Sequence, residues 1–239
     1  MNNLELLREG AKELGIDLSE QQACKLIKYK ELLLEWNEKI NLTTITEEKD
    51  VIIKHFLDSL SCFKVSYLQD GLKVIDVGTG AGFPGIPLKI LYPNLKLSLL
   101  DSLNKRLVFL QEVCKTTALE DVAFLHGRAE DYGNNRVYRE QYDIALARAV
   151  AELNVLTEYC LPFVKVGGYF IAQKGPAVKE EIVRGQKSIE ILGGKVIEQI
   201  DIPLPFSEIT HNIVVVKKIK QTPTKFPRKA GTPTKKPLI

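Results

Sequence analysis

Val74-Ile75-Asp76-Val77-Gly78-Thr79-Gly80-Ala81-Gly82-Phe83-Pro84-Gly85 joins a short β-branched strand to a glycine-rich loop through one carboxylate. A strand running directly into such a loop reads as the cofactor turn of an α/β protein, because glycine lets backbone approach a ligand where a Cβ would intervene. The segment after Pro84 has the pattern of a helix start, with its first amides aimed at that ligand. Two frames compete. Gly80, Gly82 and Gly85 satisfy the dinucleotide spacing, whereas Gly78, Gly80 and Gly82 alternate directly after the strand.

The frame separates them. A dinucleotide site has its first glycine at the strand end, and Gly80 stands two residues removed from Val77. Asp76 adds a negative charge that is unfavourable beside a pyrophosphate and favourable beside a ligand carrying an ammonium and a sulfonium. S-adenosylmethionine is such a ligand. Asp101 lies 21 residues beyond Gly80, at the end of the next apolar run, where a carboxylate can accept from both ribose hydroxyls of a nucleoside cofactor. The same position suits a helix cap for Leu103 onward.

Away from this loop the chain divides near residue 70. From Leu4 to Leu68 apolar residues recur at helical spacing, and Ser19 with Gln22 gives a capping box. Residues 1–68 are expected as a helical cap. Beyond Gly71, apolar runs at Lys73 to Val77, Lys96 to Leu100, Val122 to Leu125, Tyr142 to Ala147 and Tyr169 to Ala172 alternate with amphipathic stretches such as Leu103 to Thr117. That alternation predicts a parallel sheet with helical crossovers over residues 69–220. Lys195 to Ile202 and Asn212 to Val216 have no helix between them and are expected to close the sheet as an antiparallel hairpin. Trp36, Phe56 and Leu60 read as core, while Asn41 and His55 suit helix packing better than RNA contact.

The chain has 239 residues, 45% hydrophobic and 26% charged, an ordinary globular composition. No apolar run approaches the roughly 20 residues of a membrane-spanning helix, and the polar start lacks a signal core, so cytoplasmic residence is expected. Cys24, Cys62, Cys114 and Cys160 show no metal-ligand spacing and read as buried hydrophobes; no metal is expected. The net charge of +3 conceals an asymmetry. Eight of the 33 lysines and arginines fall within residues 217–239, which hold no acid, leaving 25 against 30 acidic residues before them. A tail of +8 on a body of −5 suits a nucleic acid backbone, with prolines and Gly231 keeping it extended. Arg228, Lys229, Lys235 and Lys236 are the candidate phosphate contacts, and Phe226 with Leu238 and Ile239 argue that the segment from 221 docks somewhere.

Other candidates sit at strand ends. Gly127-Arg128-Ala129-Glu130-Asp131 follows the third strand, where Glu130 or the Ala129 backbone could read an adenine edge. Arg148, after the fourth strand, is a clamp for a methionine carboxylate or an RNA phosphate. Lys174 holds the matching place after the fifth and is expected on substrate phosphate. His126 reads as structural rather than as a base.

Together these residues identify a resemblance. Asp76 to Gly85, Asn41-Leu42-Thr43, His55-Phe56-Leu57-Asp58-Ser59-Leu60, Arg128-Ala129-Glu130, Ala147-Arg148-Ala149 and Pro227-Arg228-Lys229-Ala230-Gly231-Thr232-Pro233 are similar to the bacterial small-subunit (16S) ribosomal RNA methyltransferase G family, also called glucose-inhibited division protein B. The similarity runs the length of the chain. It implies a seven-stranded, Rossmann-like, S-adenosylmethionine-dependent methyltransferase fold with an N-terminal helical extension, acting on the 7 position of a guanine in small-subunit ribosomal RNA. It also implies cofactor contacts at Gly78, Phe83, Ala129, Glu130 and Arg148, to which the residue reading adds Asp76, Gly80, Gly82 and Asp101. A nucleic-acid-binding regulator with a cofactor fold and an NAD-type oxidoreductase stand as alternatives, the latter disfavoured by Asp76 and the basic tail.

Overall fold

The computed structural model describes residues 1–238. Its first segment is helical, α1 spanning Asn3–Glu13 and α2 Glu20–Asn37. Ser19 and Gln22 close the capping box, the Gln22 amide donating to Ser19 Oγ at 3.2 Å and the Ser19 amide to Gln22 Oε1 at 3.0 Å. A third helical run follows as α3 (Glu48–Val51), a π-helical stretch over Ile52–Leu57, α4 (Asp58–Leu60) and a 3-10 turn over Ser61–Lys64. Such wide π turns concentrate at functional sites, and this one carries His55 and delivers the chain into Asp58.

Seven strands then form one sheet, β1 (Lys73–Val77), β2 (Lys96–Asp101), β3 (Val122–His126), β4 (Tyr142–Arg148), β5 (Val164–Lys174), β6 (Gly194–Pro203) and β7 (Thr210–Lys218). Their order is β3-β2-β1-β4-β5-β7-β6, with β7 antiparallel to β5 and β6 and the rest parallel. The expected closing hairpin is therefore present, its second strand inserted beside β5. The crossovers are α5 (Gly85–Leu91), α6 (Asn104–Thr116), α7 (Ala129–Asn134), α8 (Leu153–Cys160) and α9 (Val178–Ile191). Strand order reverses direction between β1 and β4, which is where open α/β sheets hold ligands, beyond the carboxyl ends.

Strand periodicity divides the core into two layers. Ile144 and Leu146 of β4 point into a cluster that includes Leu7, Leu33, Phe56 and Phe109, while Ala145 and Ala147 point into one that includes Leu156, Val178 and Phe226. Phe56 and Leu60 are fully buried, and the Trp36 ring packs against Phe109 at 5.7 Å between centroids. Cys62, Cys114 and Cys160 are buried free thiols, but Cys24, expected inside, is exposed.

The C-terminal tail is not the extended segment the prolines suggested. Phe226 is buried in the second cluster, Leu238 packs against it, and α10 (Thr232–Lys235) adds a turn of helix. Ile239, grouped with Leu238 in the sequence reading, lies outside the described residues. No helix among these residues is long and apolar enough to cross a membrane.

Candidate active site

The glycine loop turns at the end of β1, and its glycines serve different purposes. Gly78, Gly80 and Gly82 take φ of +71°, +60° and +100°, the left-handed region that a side chain resists. At Gly82 a Cβ would come within 2.6 Å of Tyr29 Oη and 2.7 Å of Leu110, so this glycine is required by the protein's own packing. At Gly80 it would meet nothing nearer than the Gly78 carbonyl at 4.0 Å, leaving a cradle open to a ligand.

Asp76 lies beneath the loop rather than in its mouth. It is fully buried, and Oδ2 accepts from Thr79 Oγ1 (2.8 Å) and from the Gly85 amide (2.9 Å). The first amide of α5 is thus taken by Asp76 rather than aimed at a ligand, a correction to the sequence expectation. Among the described residues Asp76 Oδ1 has no partner. Burial pushes the carboxyl up to about 6, against the hydrogen bonds from Thr79 and Gly85.

Across the loop, Asp101 ends β2 with both oxygens committed to local order, Oδ2 accepting from the Gly80 amide (2.9 Å) and Oδ1 from the Leu103 amide (2.8 Å). Arg106 Nη1 also reaches Oδ2 at 3.3 Å, so the cofactor and cap readings are compatible through Oδ1, which retains a second lone pair. Asp101, Gly78, Ala129, Glu130 and Tyr159 line one crevice of about 150 Å³. His126 is exposed beside it, its ring 3.2 Å from the Ser102 carbonyl.

A second cleft of about 390 Å³ opens on the other side of the loop after β4, so that Ala149 lines this cleft and Val150 the first. Arg148 and Lys174 both line it. Arg148 is braced on every side. Nη1 donates to Asp58 Oδ2 (2.7 Å) and the Lys54 carbonyl (3.2 Å), Nη2 to His55 Nδ1 (3.2 Å), and the guanidinium lies 4.8 Å over the Phe83 ring. Because arginine only donates, His55 Nδ1 accepts and Nε2 carries the proton toward Thr43 Oγ1 at 2.8 Å. Burial, aided by Arg148, lowers His55 to about 4, so it is a neutral ring at neutral pH. Phe83 is 5% exposed, stacked between His55 (4.6 Å) and Tyr29 (5.4 Å), and forms the wall dividing loop from cap. Lys174 Nζ pairs with Glu181 (2.6 Å) and donates to the Ala151 carbonyl (2.9 Å).

Three groups here were given no role from the sequence, although Asp58 belongs to the quoted His55 to Leu60 motif. Asp58 is 1% exposed at the centre of the second cleft, and His211 Nδ1 approaches its Oδ1 at 2.6 Å. Burial pushes the Asp58 carboxyl up, but His211 and Arg148 outweigh it and hold the carboxyl below the usual range; Asp58 in turn raises His211. Gln173 Nε2 donates to the Asp58 carbonyl at 2.6 Å. The expected strand from Asn212 lay next to the signal for His211, because its antiparallel pairing with β5 sets Asn212 beside Lys174 and Ile213 beside Gln173, with His211 one residue before.

In the tail, Lys229, Lys235 and Lys236 are exposed, but Arg228 is turned inward onto Glu158 at 2.6 Å. The structure thus gives Arg228 a carboxylate where the sequence expected an RNA phosphate. Among the described residues no group of three His, Cys, Asp or Glu is placed to hold a metal.

A glycine cradle beside an acid that ends β2, at the switch point of a seven-stranded sheet with one antiparallel strand, defines an S-adenosylmethionine-dependent methyltransferase, and the residues present fit that cofactor. The fold is shared with M. jannaschii TYW2 solved in complex with AdoMet, at a TM-score of 0.52 and 16% identity over 66% of this chain and 74% of that one. Residues 22–202 match the family described as rRNA small subunit methyltransferase G, and the chain belongs to that family. It is 63% identical to the ribosomal RNA small subunit methyltransferase G of Alkaliphilus metalliredigens, covering 100% of both chains. Its counterpart in Alkaliphilus oremlandii is also 63% identical, over 98% of each. The dinucleotide reading of the loop has no support beside these.

Proposed function

We propose that this methyltransferase modifies the 7 position of a guanine in small-subunit ribosomal RNA, and so works in the cytoplasm on the ribosome or its precursor. The observation that carries the reading is the pair of adjoining clefts, a cofactor crevice over Gly78 and Asp101 and a cleft holding Arg148 and Lys174, divided by Ala149 and Val150. S-adenosylmethionine supplies a methyl group activated by its sulfonium. Gly78, Gly80, Asp101, Ala129 and Glu130 are the residues proposed to hold it. Asp76, Gly82 and Phe83 shape the loop from beneath, and Asp76 adds a negative charge close by.

The guanine imidazole nitrogen has a lone pair and no proton to lose, so the reaction needs no general base. The histidines fit that demand. His55 is locked between Arg148 and Thr43, and His211 is held by Asp58. The work left to the protein is orientation, which can supply on the order of 7–11 kcal/mol of barrier reduction. Arg148 and Lys174 are proposed to do this at the polar edge or phosphate of the acceptor nucleotide, their own orientation fixed by Asp58 and Glu181. Lys229, Lys235 and Lys236 are proposed to hold RNA phosphates further out. Arg228 is assigned to holding the tail.

The test is to incubate the protein with methyl-labelled S-adenosylmethionine and small ribosomal subunits from a strain lacking the gene, then digest the RNA. Label in 7-methylguanosine is expected. No label, with cofactor binding intact, would overturn the acceptor.

A further inference from the structure

The short helix α7 brings together two things that the sequence keeps about a hundred residues apart. Its first residues, Ala129 and Glu130, line the crevice, and its side chains also hold the tail. Glu130 is 4% exposed, and its Oε1 accepts the Gly231 amide at 2.8 Å. Asn134 Nδ2 donates to the Pro227 carbonyl at 3.0 Å, and a Cβ on Gly133 would stand 3.0 Å from the Pro227 ring.

The same arrangement recurs on α8. Glu158 is fully buried and is met by three donors of one residue, the Arg228 amide (2.7 Å), Nε (2.9 Å) and Nη2 (2.6 Å). The next residue, Tyr159, lines the crevice, and its Oη lies 2.8 Å from Thr234 Oγ1. Buried carboxylates are tolerated only while paired. Among the described residues the Glu130 and Glu158 carboxylates have no hydrogen-bond donors except those the tail supplies. Undocking the tail would strand two charges in helices that carry the crevice wall.

We propose that the C-terminal tail is a built part of the cofactor site, with Arg228 and Gly231 as positioning residues that hold the wall formed by Ala129, Glu130 and Tyr159. This rests on the assignment of that crevice to S-adenosylmethionine. Tail and cofactor are then thermodynamically linked: whatever tightens one tightens the other by the same factor. RNA phosphates drawn to Lys229, Lys235 and Lys236 would act on the same segment.

The first measurement uses the unaltered chain. Hydrogen exchange of residues 226–236 is followed with and without saturating S-adenosylmethionine, and exchange slowed at least severalfold by the cofactor is expected. Calorimetric titration then compares variants. Arg228→Met is expected to weaken S-adenosylmethionine at least tenfold, and Arg228→Met combined with Glu158→Met, an apolar pair in place of an ionic one, to recover most of that loss. An arm that served RNA alone would move neither quantity. Tail exchange indifferent to the cofactor, or Arg228→Met binding within twofold of the parent, overturns the inference; should Arg228→Met fail to fold, the exchange result decides. A parent chain that binds no S-adenosylmethionine overturns the cofactor reading as well, whereas intact binding without a tail response overturns this inference alone.

Discussion

Asp76 accepts two hydrogen bonds through one oxygen and leaves the other buried with no partner among the described residues, so its charge is maintained against the surrounding medium. Burial raises its carboxyl from 3.8 to about 6. The native state therefore holds the proton more tightly than the unfolded chain does. Stability from this group is fully present below about pH 4 and is lost as pH rises through about 6. The difference amounts to on the order of 2 to 3 kcal/mol. Asp76→Asn keeps an acceptor for Thr79 and Gly85 but cannot ionise. In the absence of cofactor it is expected to be more stable than the parent by about that amount at pH 8, with the gap closing toward pH 4. Urea unfolding across that range checks the sign; a gap that widens on acidification would refute it. Titration with S-adenosylmethionine at pH 8 is expected to show the reverse ranking, because the sulfonium loses a nearby counter-charge.

At the scale of elements, a clamp centred on Asp58 joins the cap to the sheet. Asp58 begins α4, Arg148 ends β4, Gln173 lies near the end of β5 and His211 stands at the start of β7, all within hydrogen-bond reach of Asp58. Arg148→Ala removes one partner of a buried pair and is expected to cost roughly 3–5 kcal/mol in urea unfolding, beyond any effect on methyl transfer. The clamp also has a pH window. Asp58 is depressed below 3.8, so its contribution exists above about pH 4 and fades below; His211 is raised above 6.5, so its contribution exists below that and fades as pH climbs through its native value. The tail makes a contrasting prediction. Replacing Lys229, Lys235 and Lys236 by glutamine is expected to weaken RNA binding and lower the slope of log affinity against log salt by about 2 to 3, leaving S-adenosylmethionine affinity unchanged. A slope unaltered by the triple change would remove these lysines from the RNA contact. Charge composition made the tail legible as basic, but not Arg228 as an inward residue, because its partner Glu158 lies 70 positions away on a helix whose burial only packing creates. Likewise Asp58 and His211 are 153 residues apart. The strands were readable because each is a local apolar run, and the glycines because backbone conformation is a property of single residues. The reason for Gly82, the Tyr29 hydroxyl above it, belongs to the folded cap and to no local pattern.

For the whole molecule, what decides cooperativity is that the hydrophobic layers do not respect the division of the chain near residue 70. One cluster runs from Leu6, Leu26 and Phe56 in the helical cap through Leu99 and Ile144 of the sheet to Val215 of β7. Tyr29 ties the same cap to the glycine loop, donating to the Ala81 carbonyl and stacking on Phe83. A chain lacking residues 1–68 would leave one face of the sheet in water, and with it the packing that holds Gly82 and Phe83 in place. The full chain is therefore expected to unfold in a single calorimetric transition, with an enthalpy near 60 °C on the order of 170 kcal/mol and equal to the van't Hoff value. The truncated chain is expected to show no sharp transition and to bind a hydrophobic dye. Two resolved transitions in the full chain would mean that the helices are a separable lid. In that event Arg148→Ala should depress the earlier transition selectively, since it cuts the clamp and leaves the sheet's own layers intact.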